Sequence, residues 1–160
     1  MKGNNFHHAN KSGLALAPQS VNNATVTGPA IEEPWRSGNQ LSFILLGGAF
    51  ASGVDGAMTV QGLRRDDGTT WEALKESDGT TDLAFTATLL DDAGGLEGGS
   101  VVGTLPFDSG GYEETYKSVR LSYTESGSAA ALIGAAYVIS DLRGKVSGQS
   151  DDLFSKARHG

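Results

Sequence analysis

The histidines of this 160-residue chain are His7, His8 and His159, all close to its ends. A Ser-His-Asp arrangement needs an imidazole held between a nucleophile and a carboxylate. Terminal histidines are poor candidates for that place, and no strand–turn–helix nucleophile elbow is present. His7 and His8 have metal-binding chemistry, but a zinc site needs three or four converging ligands. Carboxylates come in adjacent pairs: Glu32/Glu33, Asp66/Asp67, Asp91/Asp92, Glu113/Glu114 and Asp151/Asp152. Glycoside hydrolysis needs two carboxylates fixed about 5–10 Å apart across a cleft. Neighbours on a strand point to opposite faces, and most of these pairs fall in loops, so solvated charge is the expected reading. Asp91 and Asp92 offer the hard oxygen ligands that calcium takes, without EF-hand spacing. The glycine pairs at 47–48, 94–95, 98–99 and 110–111 match neither the P-loop nor the dinucleotide fingerprint. They read as tight turns and close backbone approaches. No catalytic residue, cofactor or metal site is expected.

Aromatic side chains are the remaining candidates. Trp35, Trp71 and Tyr112 lie in or near loops. On a sandwich such residues stack on sugar rings or anchor a protein interface. Trp71 reads more as a plug at one end of the core. For Trp35 the core and the exposed reading stay open.

Composition narrows the function classes. The chain has no cysteine, so disulfides and thiolate metal sites are excluded and the core holds by packing. A net charge of −7 argues against nucleic acid and anionic membranes as partners. No apolar run approaches the roughly 20 residues of a membrane helix. The longest, 41–51, contains Gly47 and Gly48. The N-terminus lacks the apolar stretch of a secretory signal.

Glycine is abundant, at 23 residues, which favours short strands and turns. Two late runs carry the clearest sheet signal. In 116–123, Val119, Leu121 and Tyr123 alternate with Ser118, Arg120 and Ser122, as in a half-buried strand. The run 129–140 is apolar on both faces, as in a buried strand. The segment 41–46 is also apolar on both faces apart from Ser42. In 57–65, Met58 and Val60 point inward and Gly62 breaks the phase, as a bulge does. Asp67-Gly68 and Asp78-Gly79 mark turns. Residues 71–74 form a short strand or a helical turn. In 83–90, Leu83, Phe85, Ala87 and Leu89 point inward, and 100–105 is a short strand. Residues 91–99 and 108–114 read as glycine-rich loops. Pro29 favours an edge position for 25–31.

About eight strands with turns between them predict an all-β fold, an antiparallel β-sandwich or barrel-like domain. The expected organisation is an extended N-terminal arm at 1–24, a β domain at 25–143 and a polar C-terminal tail at 144–160.

From about Leu14 to Gly144 the order of segments resembles the head-decoration (cement) proteins of tailed bacteriophages. The resemblance is carried by Leu14-Ala15-Leu16-Ala17-Pro18, the apolar strand from Leu41 to Gly48, and Met58-Thr59-Val60-Gln61 leading to Asp67-Gly68-Thr69-Thr70-Trp71. Its most family-like part is Lys117-Ser118-Val119-Arg120-Leu121, then the alanine-rich run 129–139 and Asp141-Leu142-Arg143. The chain departs from the pattern in lacking a Pro soon after Arg143.

The resemblance implies a non-enzymatic virion protein, made in the host cytoplasm, that binds the outer surface of the expanded capsid and braces neighbouring capsomers. Its implied partners are the major capsid protein and further copies of itself, with a trimer favoured. Candidate capsid contacts are Lys2, Phe6, Lys11 and Leu14 on the arm, with Trp35 and Arg36 on the following loop. The alternative reading is a carbohydrate- or receptor-binding module on a virion appendage. A glycosidase using loop carboxylates gains nothing from their spacing.

Overall fold

A computed structural model describes residues 10–49, 53–75, 80, 84–86, 97–106 and 112–140. The fold is all-β and every strand pairing is antiparallel. The strands are β1 (Asn10–Val21), β2 (Ala24–Thr27), β3 (Ile31–Glu32), β4 (Gln40–Ala49), β5 (Gly56–Arg64), β6 (Trp71–Ala73), β7 (Ala84–Thr86), β8 (Glu97–Pro106), β9 (Tyr116–Glu125) and β10 (Ala131–Ser140). Two single helical turns, α1 (Pro34–Ser37) and α2 (Tyr112–Thr115), sit in the connections. Sheet A has the order β1-β10-β4-β8. In sheet B, β9 and β5 form the centre, β2 and β3 follow one another along β9, and β6 and β7 both pair β5.

The inner faces of the two sheets share one core. Sheet A contributes Leu16, Leu41, Phe43, Leu45 and Ile133; sheet B contributes Met58, Val60, Leu121 and Tyr123. Each large side chain buried in this way contributes about 1.5–3 kcal/mol. Met58 and Val60 point inward as their alternation predicts.

Several expectations are corrected. Residues 10–21 are a strand rather than an arm. β1 pairs β10 from Asn10↔Ser140 to Val21↔Ala131, with irregularities between Leu14 and Leu16 and between Leu16 and Gln19. The irregularities bend the strand so that Ala15 and Leu16, adjacent in sequence, are both buried. Residues 10–21 therefore belong to the β domain, which was expected to begin at 25. Residues 1–9 and 144–160 lie outside the described residues.

The two late strands do not pair with each other: β9 is in sheet B and β10 in sheet A. Their burial is also the reverse of the prediction. β9 has neighbours on both sides, and Ser118 and Ser122 are buried along with Val119, Leu121 and Tyr123. β10 exposes one face, where Leu132 is half in solvent. Gly62 stays in register opposite Val119, and the shift falls between Leu63 and Arg64. The loop expected at 91–99 gives way to β8 at Glu97, and that at 108–114 to α2 at Tyr112. Of the 83–90 alternation, β7 is described; its flanks lie outside the described residues.

The crossover from β9 to β10 is held by a buried carboxylate. Glu125 is 1% exposed. Its Oε1 accepts from the backbone N–H of Asp55 at 2.7 Å and of Gly127 at 3.0 Å. Its Oε2 accepts from the Tyr123 hydroxyl at 2.7 Å. Burial and this carboxylate together push the Tyr123 phenol well above its ordinary value. The backbone adds Ser126 N–H to Asp55 O and Ser128 N–H to Gly53 O, both at 2.8 Å. Gly127 is required here: a Cβ on it would lie 1.9 Å from the Gly53 carbonyl.

Glu125→Ala leaves the two backbone donors and the Tyr123 hydroxyl without their acceptor. It is expected to destabilise the fold by about 2–4 kcal/mol, read from urea unfolding, with Tyr123→Phe costing about 1 kcal/mol. A loss below about 1 kcal/mol for Glu125→Ala would contradict the clasp.

Candidate functional site

Side-chain alternation on β10 and β4 sets two faces. Ala131, Ile133 and Ala135 on β10, with Leu41, Phe43 and Leu45 on β4, enter the core. The intervening residues Leu132, Gly134, Ala136 and Val138, with Ile44 and Leu46, form the outer face. Register places Leu14, Ala136 and Ile44 in one row and Gly134 and Leu46 in the next. Pro18 packs over Gly134.

An antiparallel sheet with one face on the core ordinarily turns a polar face to water. Here the middle of sheet A's outer face is apolar, with Ser12, Ser20, Ser42 and Ser140 at positions around it. Leu14, Leu46 and Leu132, exposed by 53%, 53% and 56%, are the large hydrophobic side chains exposed among the described residues. All three line a single groove of about 360 Å³. Gly47, Gly48, Gly134 and Ala136 lie between them, and none of the lining side chains is charged.

Sheet B is different. Its outer face carries Thr25, Thr124, Gln61, Arg120, Ser118 and Glu32, which bond to one another. The Thr25 and Thr124 hydroxyls are 2.8 Å apart. Arg120 donates to Gln61 Oε1 and Ser118 donates to Glu32 Oε2, each at 2.8 Å. The Arg120 guanidinium lies 4.1 Å from the Trp71 ring centroid. Partial burial lowers the Arg120 pKa from its ordinary value. Trp71 thus lies on this outer face instead of plugging the core.

At one end of the sandwich the carboxylate pairs are spent on structure. Arg65 donates to Glu33 Oε1 at 3.0 Å, to the Glu113 carbonyl at 3.2 Å and to the Tyr116 carbonyl at 3.0 Å. It thereby joins the α1 and α2 connections to β9. Glu33 also pairs with Arg36. Its left-handed backbone, φ 38°, is an uncommon conformation for a non-glycine residue. With Pro34 at the first helical position it swings Trp35 inward. The Tyr116 hydroxyl donates to Glu72 at 3.0 Å, and burial followed by that contact pushes its pKa up to about 12. Asp66 pairs with Arg64. Asp67 accepts from the backbone N–H of Thr69 and Thr70 and from the Thr70 hydroxyl, which lowers its pKa to about 2.

The structure separates the candidate contacts. Lys11 is half-buried on β1 opposite Ile139. Leu14 stands at the groove. Arg36 is exposed. Lys11 and α1 share one end of sheet A, because Asn39 N–H donates to the Ser140 carbonyl. Trp35 is 2% exposed and belongs to the core, so its expected role as an exposed contact is corrected. Tyr112 is buried too, with its hydroxyl on the Lys75 carbonyl, so neither side chain is a platform for a sugar. Lys2, Phe6, the three histidines, Asp91/Asp92 and Asp151/Asp152 lie outside the described residues. Among the described residues no three His, Cys, Asp or Glu side chains are grouped to hold a metal. Leu46 and Leu132 were missing from the candidates. Their signal was present in the two-sided apolar character of 41–46 and 129–140.

No family model and no curated protein matches this chain. Solved structures do match. The infectious bursal disease virus Gx strain structure aligns with a TM-score of 0.50 at 14% identity, over 87% of this chain and 33% of that one. The Gt strain structure and the VP2 subviral particle of the same virus align with TM-scores of 0.46 and 0.45, both at 14% identity, each over 82% of this chain and 32% of the other. The chain therefore spans about a third of the length of the solved chains it matches. At this identity the likeness is one of fold.

Two outcomes follow for these surfaces. Leu132→Ser should leave stability within about 0.5 kcal/mol of the parent and reduce the fluorescence of a bound hydrophobic dye. A large stability loss would place Leu132 in the core. The Asp67 carboxyl should titrate in an NMR experiment near pH 2. Its support of the 65–70 turn is then complete above the ordinary carboxylate value of 3.8 and disappears as pH falls through about 2. A midpoint at or above 3.8 would contradict the capping.

Proposed function

We infer that this chain is a structural virion protein that binds the outer surface of an expanded phage capsid and stabilises it by bridging neighbouring capsomers. The single observation that carries the reading is the uncharged apolar groove in the middle of sheet A's outer face, with Leu14, Leu46 and Leu132 half-exposed around it. A sandwich that keeps such a face in water needs a protein to cover it, which suits a component of an assembly. The fold shared with the virus-particle structures is compatible with this role. The phage resemblance in the Tyr116–Glu125 and Ala131–Ser140 strands supplies the decoration reading.

Capsid contact is assigned to the end of sheet A where Lys11 and Arg36 lie, extended by Lys2 and Phe6. Leu14 links that end to the apolar face. Arg36 is exposed but paired with Glu33, so it meets a partner as part of that ion pair. Trp35 acts indirectly, by anchoring the α1 turn that presents Arg36.

Co-sedimentation with undecorated, expanded capsids of the parent virus tests the role. Saturable binding at a fixed number of copies per capsid subunit is expected, and binding to no capsid form would overturn it. Removal of residues 1–9 should weaken capsid binding about tenfold, or about 1.4 kcal/mol, with the melting temperature measured beside it to check that the fold is kept. Unchanged binding would remove Lys2 and Phe6 from the contact.

A further inference from the structure

We propose that Arg120, Gln61 and Trp71, on the outer face of sheet B, form a binding site for the carboxylate of an acidic sugar. The site lies on the opposite side of the sandwich from the apolar groove and does not depend on the capsid reading.

The first argument is an unmatched set of donors. Among the described residues Arg36, Arg64 and Arg65 each pair with a carboxylate, and Arg120 pairs with none. Arg120 stands at the middle of β9, directly opposite Gln61 on β5. Its Nε donates to Gln61 Oε1 at 2.8 Å, and its guanidinium lies 4.1 Å from the Trp71 ring centroid. These two contacts fix the plane of the guanidinium and leave its terminal N–H fork for a ligand. The Gln61 oxygen is used by Arg120, so the amide N–H groups of Gln61 are donors beside that fork. Arg120 is also half-buried, and burial lowers its pKa, so its charge has given up part of its hydration. A carboxylate supplies what is missing: two acceptor oxygens in the plane of the fork, and an opposite charge.

The surroundings select what carries the carboxylate. Register sets Thr27, Ser122 and Thr59 in one row across the face beside Arg120. Hydroxyls of this kind are depleted from protein interfaces, whose centres hold clustered large apolar side chains. Here Trp71 and its neighbour Leu63 are the large apolar side chains at the site. A sugar ring meets such a surface with hydroxyls for the row and C–H groups for the indole. Charge sets a limit on the ligand. The chain carries −7, and Glu32, on the same face, accepts from Ser118 at 2.8 Å. A run of anions is repelled there, so one carboxylate among neutral hydroxyls fits best.

The test is an NMR titration of the isotope-labelled full chain with sialyllactose and with a disaccharide ending in glucuronic acid. Lactose is the neutral control, and a tripeptide containing Glu is the protein-like control. Either acidic sugar should give saturable shifts of the Trp71 indole N–H and the Gln61 amide, with a dissociation constant on the order of 1 mM. The indole N–H of Trp35, 2% exposed in the core, should stay in place. Arg120→Lys keeps the charge without the fork and should weaken binding about tenfold. Gln61→Glu supplies the carboxylate from within the chain, so it should abolish binding with the melting temperature kept or raised. No shift with either acidic sugar, or equal binding of lactose, overturns the proposal. Binding that survives unchanged in folded Arg120→Lys or Gln61→Glu overturns it as well. Tighter binding of the tripeptide than of both sugars makes an acidic protein segment the occupant and overturns the assignment to a sugar. Each of these results leaves co-sedimentation with capsids as a separate question.

Discussion

The Glu125 carboxylate is the constraint on which the sandwich turns. β9 is the central strand of sheet B and β10 is a central strand of sheet A, and only five residues separate them. The chain must leave one layer, cross and enter the other in correct register within that link. Ser126, Ser128 and Ala130 of this link are exposed, while the N–H groups of Gly127 and of Asp55 beside it take acceptors within the protein. Glu125 supplies them: one oxygen receives Asp55 and Gly127, the other Tyr123. Asp55 lies just before β5, so the same carboxylate also fixes where β5 starts beside β9. A buried charge is tolerated when its lone pairs are used by donors, as they are here. Tyr123 is placed by the same contact, and Gly56 leaves room for its ring, since a Cβ there would lie 2.0 Å from the Tyr123 hydroxyl oxygen.

Once β10 is fixed, the character of both outer faces follows. Its inward set, Ala131, Ile133 and Ala135, fills the core, which commits Leu132, Gly134 and Ala136 to the outside. β4 lies beside it with Ile44 and Leu46 on that same outside. Sheet B, with Thr25, Gln61, Arg120 and Thr124, satisfies its outer face with its own hydrogen bonds. The molecule is therefore two-sided among the described residues: one outer face polar and hydrogen-bonded within itself, the other with an apolar, uncharged groove at its middle. Chemistry by acid, base or metal would need convergent ionisable groups, and the described carboxylates are instead distributed among ion pairs and turn caps.

Much of the fold was legible because period-two alternation depends on local residues alone. Met58 and Val60 were placed correctly for that reason, and the Asp67-Gly68 turn because Asp67 caps it through its own neighbours. β1 was missed because an edge strand needs little apolar content. Asn10, Lys11, Ser12 and Gly13 read as a polar arm until Ser140, Ile139, Val138 and Tyr137 are set opposite them. Trp35 was undecided because its direction depends on the backbone of Glu33, whose left-handed conformation is stabilised by Arg65 from far along the chain. Burial of Ser118 and Ser122 likewise depends on strands on both sides of β9, which no local pattern reports. The apolar face was visible as two strands apolar on both sides. Alternation identifies which residues share a face without saying which face the core covers, so that signal was first read as depth.

The edges bear on how such a molecule associates. Open strand edges invite pairing with another chain, and proteins blunt them with proline, bulges and short strands. The β1 edge of sheet A is interrupted by irregularities at Leu14–Leu16 and Leu16–Gln19 and contains Pro18. β8, the other edge, ends at Pro106. On sheet B, the edge along β9 is split between β2 and β3, with Pro29 in the gap, and the edge along β5 is split between β6 and β7. β1 and the sheet B edges offer no long regular ladder, whereas β8 runs its ten residues against β4 without a register shift. Strand addition is thus disfavoured along β1 and along the split edges of sheet B, whereas the middle of the sheet A face is apolar and its groove uncharged. An isologous contact closes on itself, while a heterologous one whose rotation does not close propagates. Blunted edges along β1 and sheet B, beside one apolar patch, thus favour association through that patch over strand addition there.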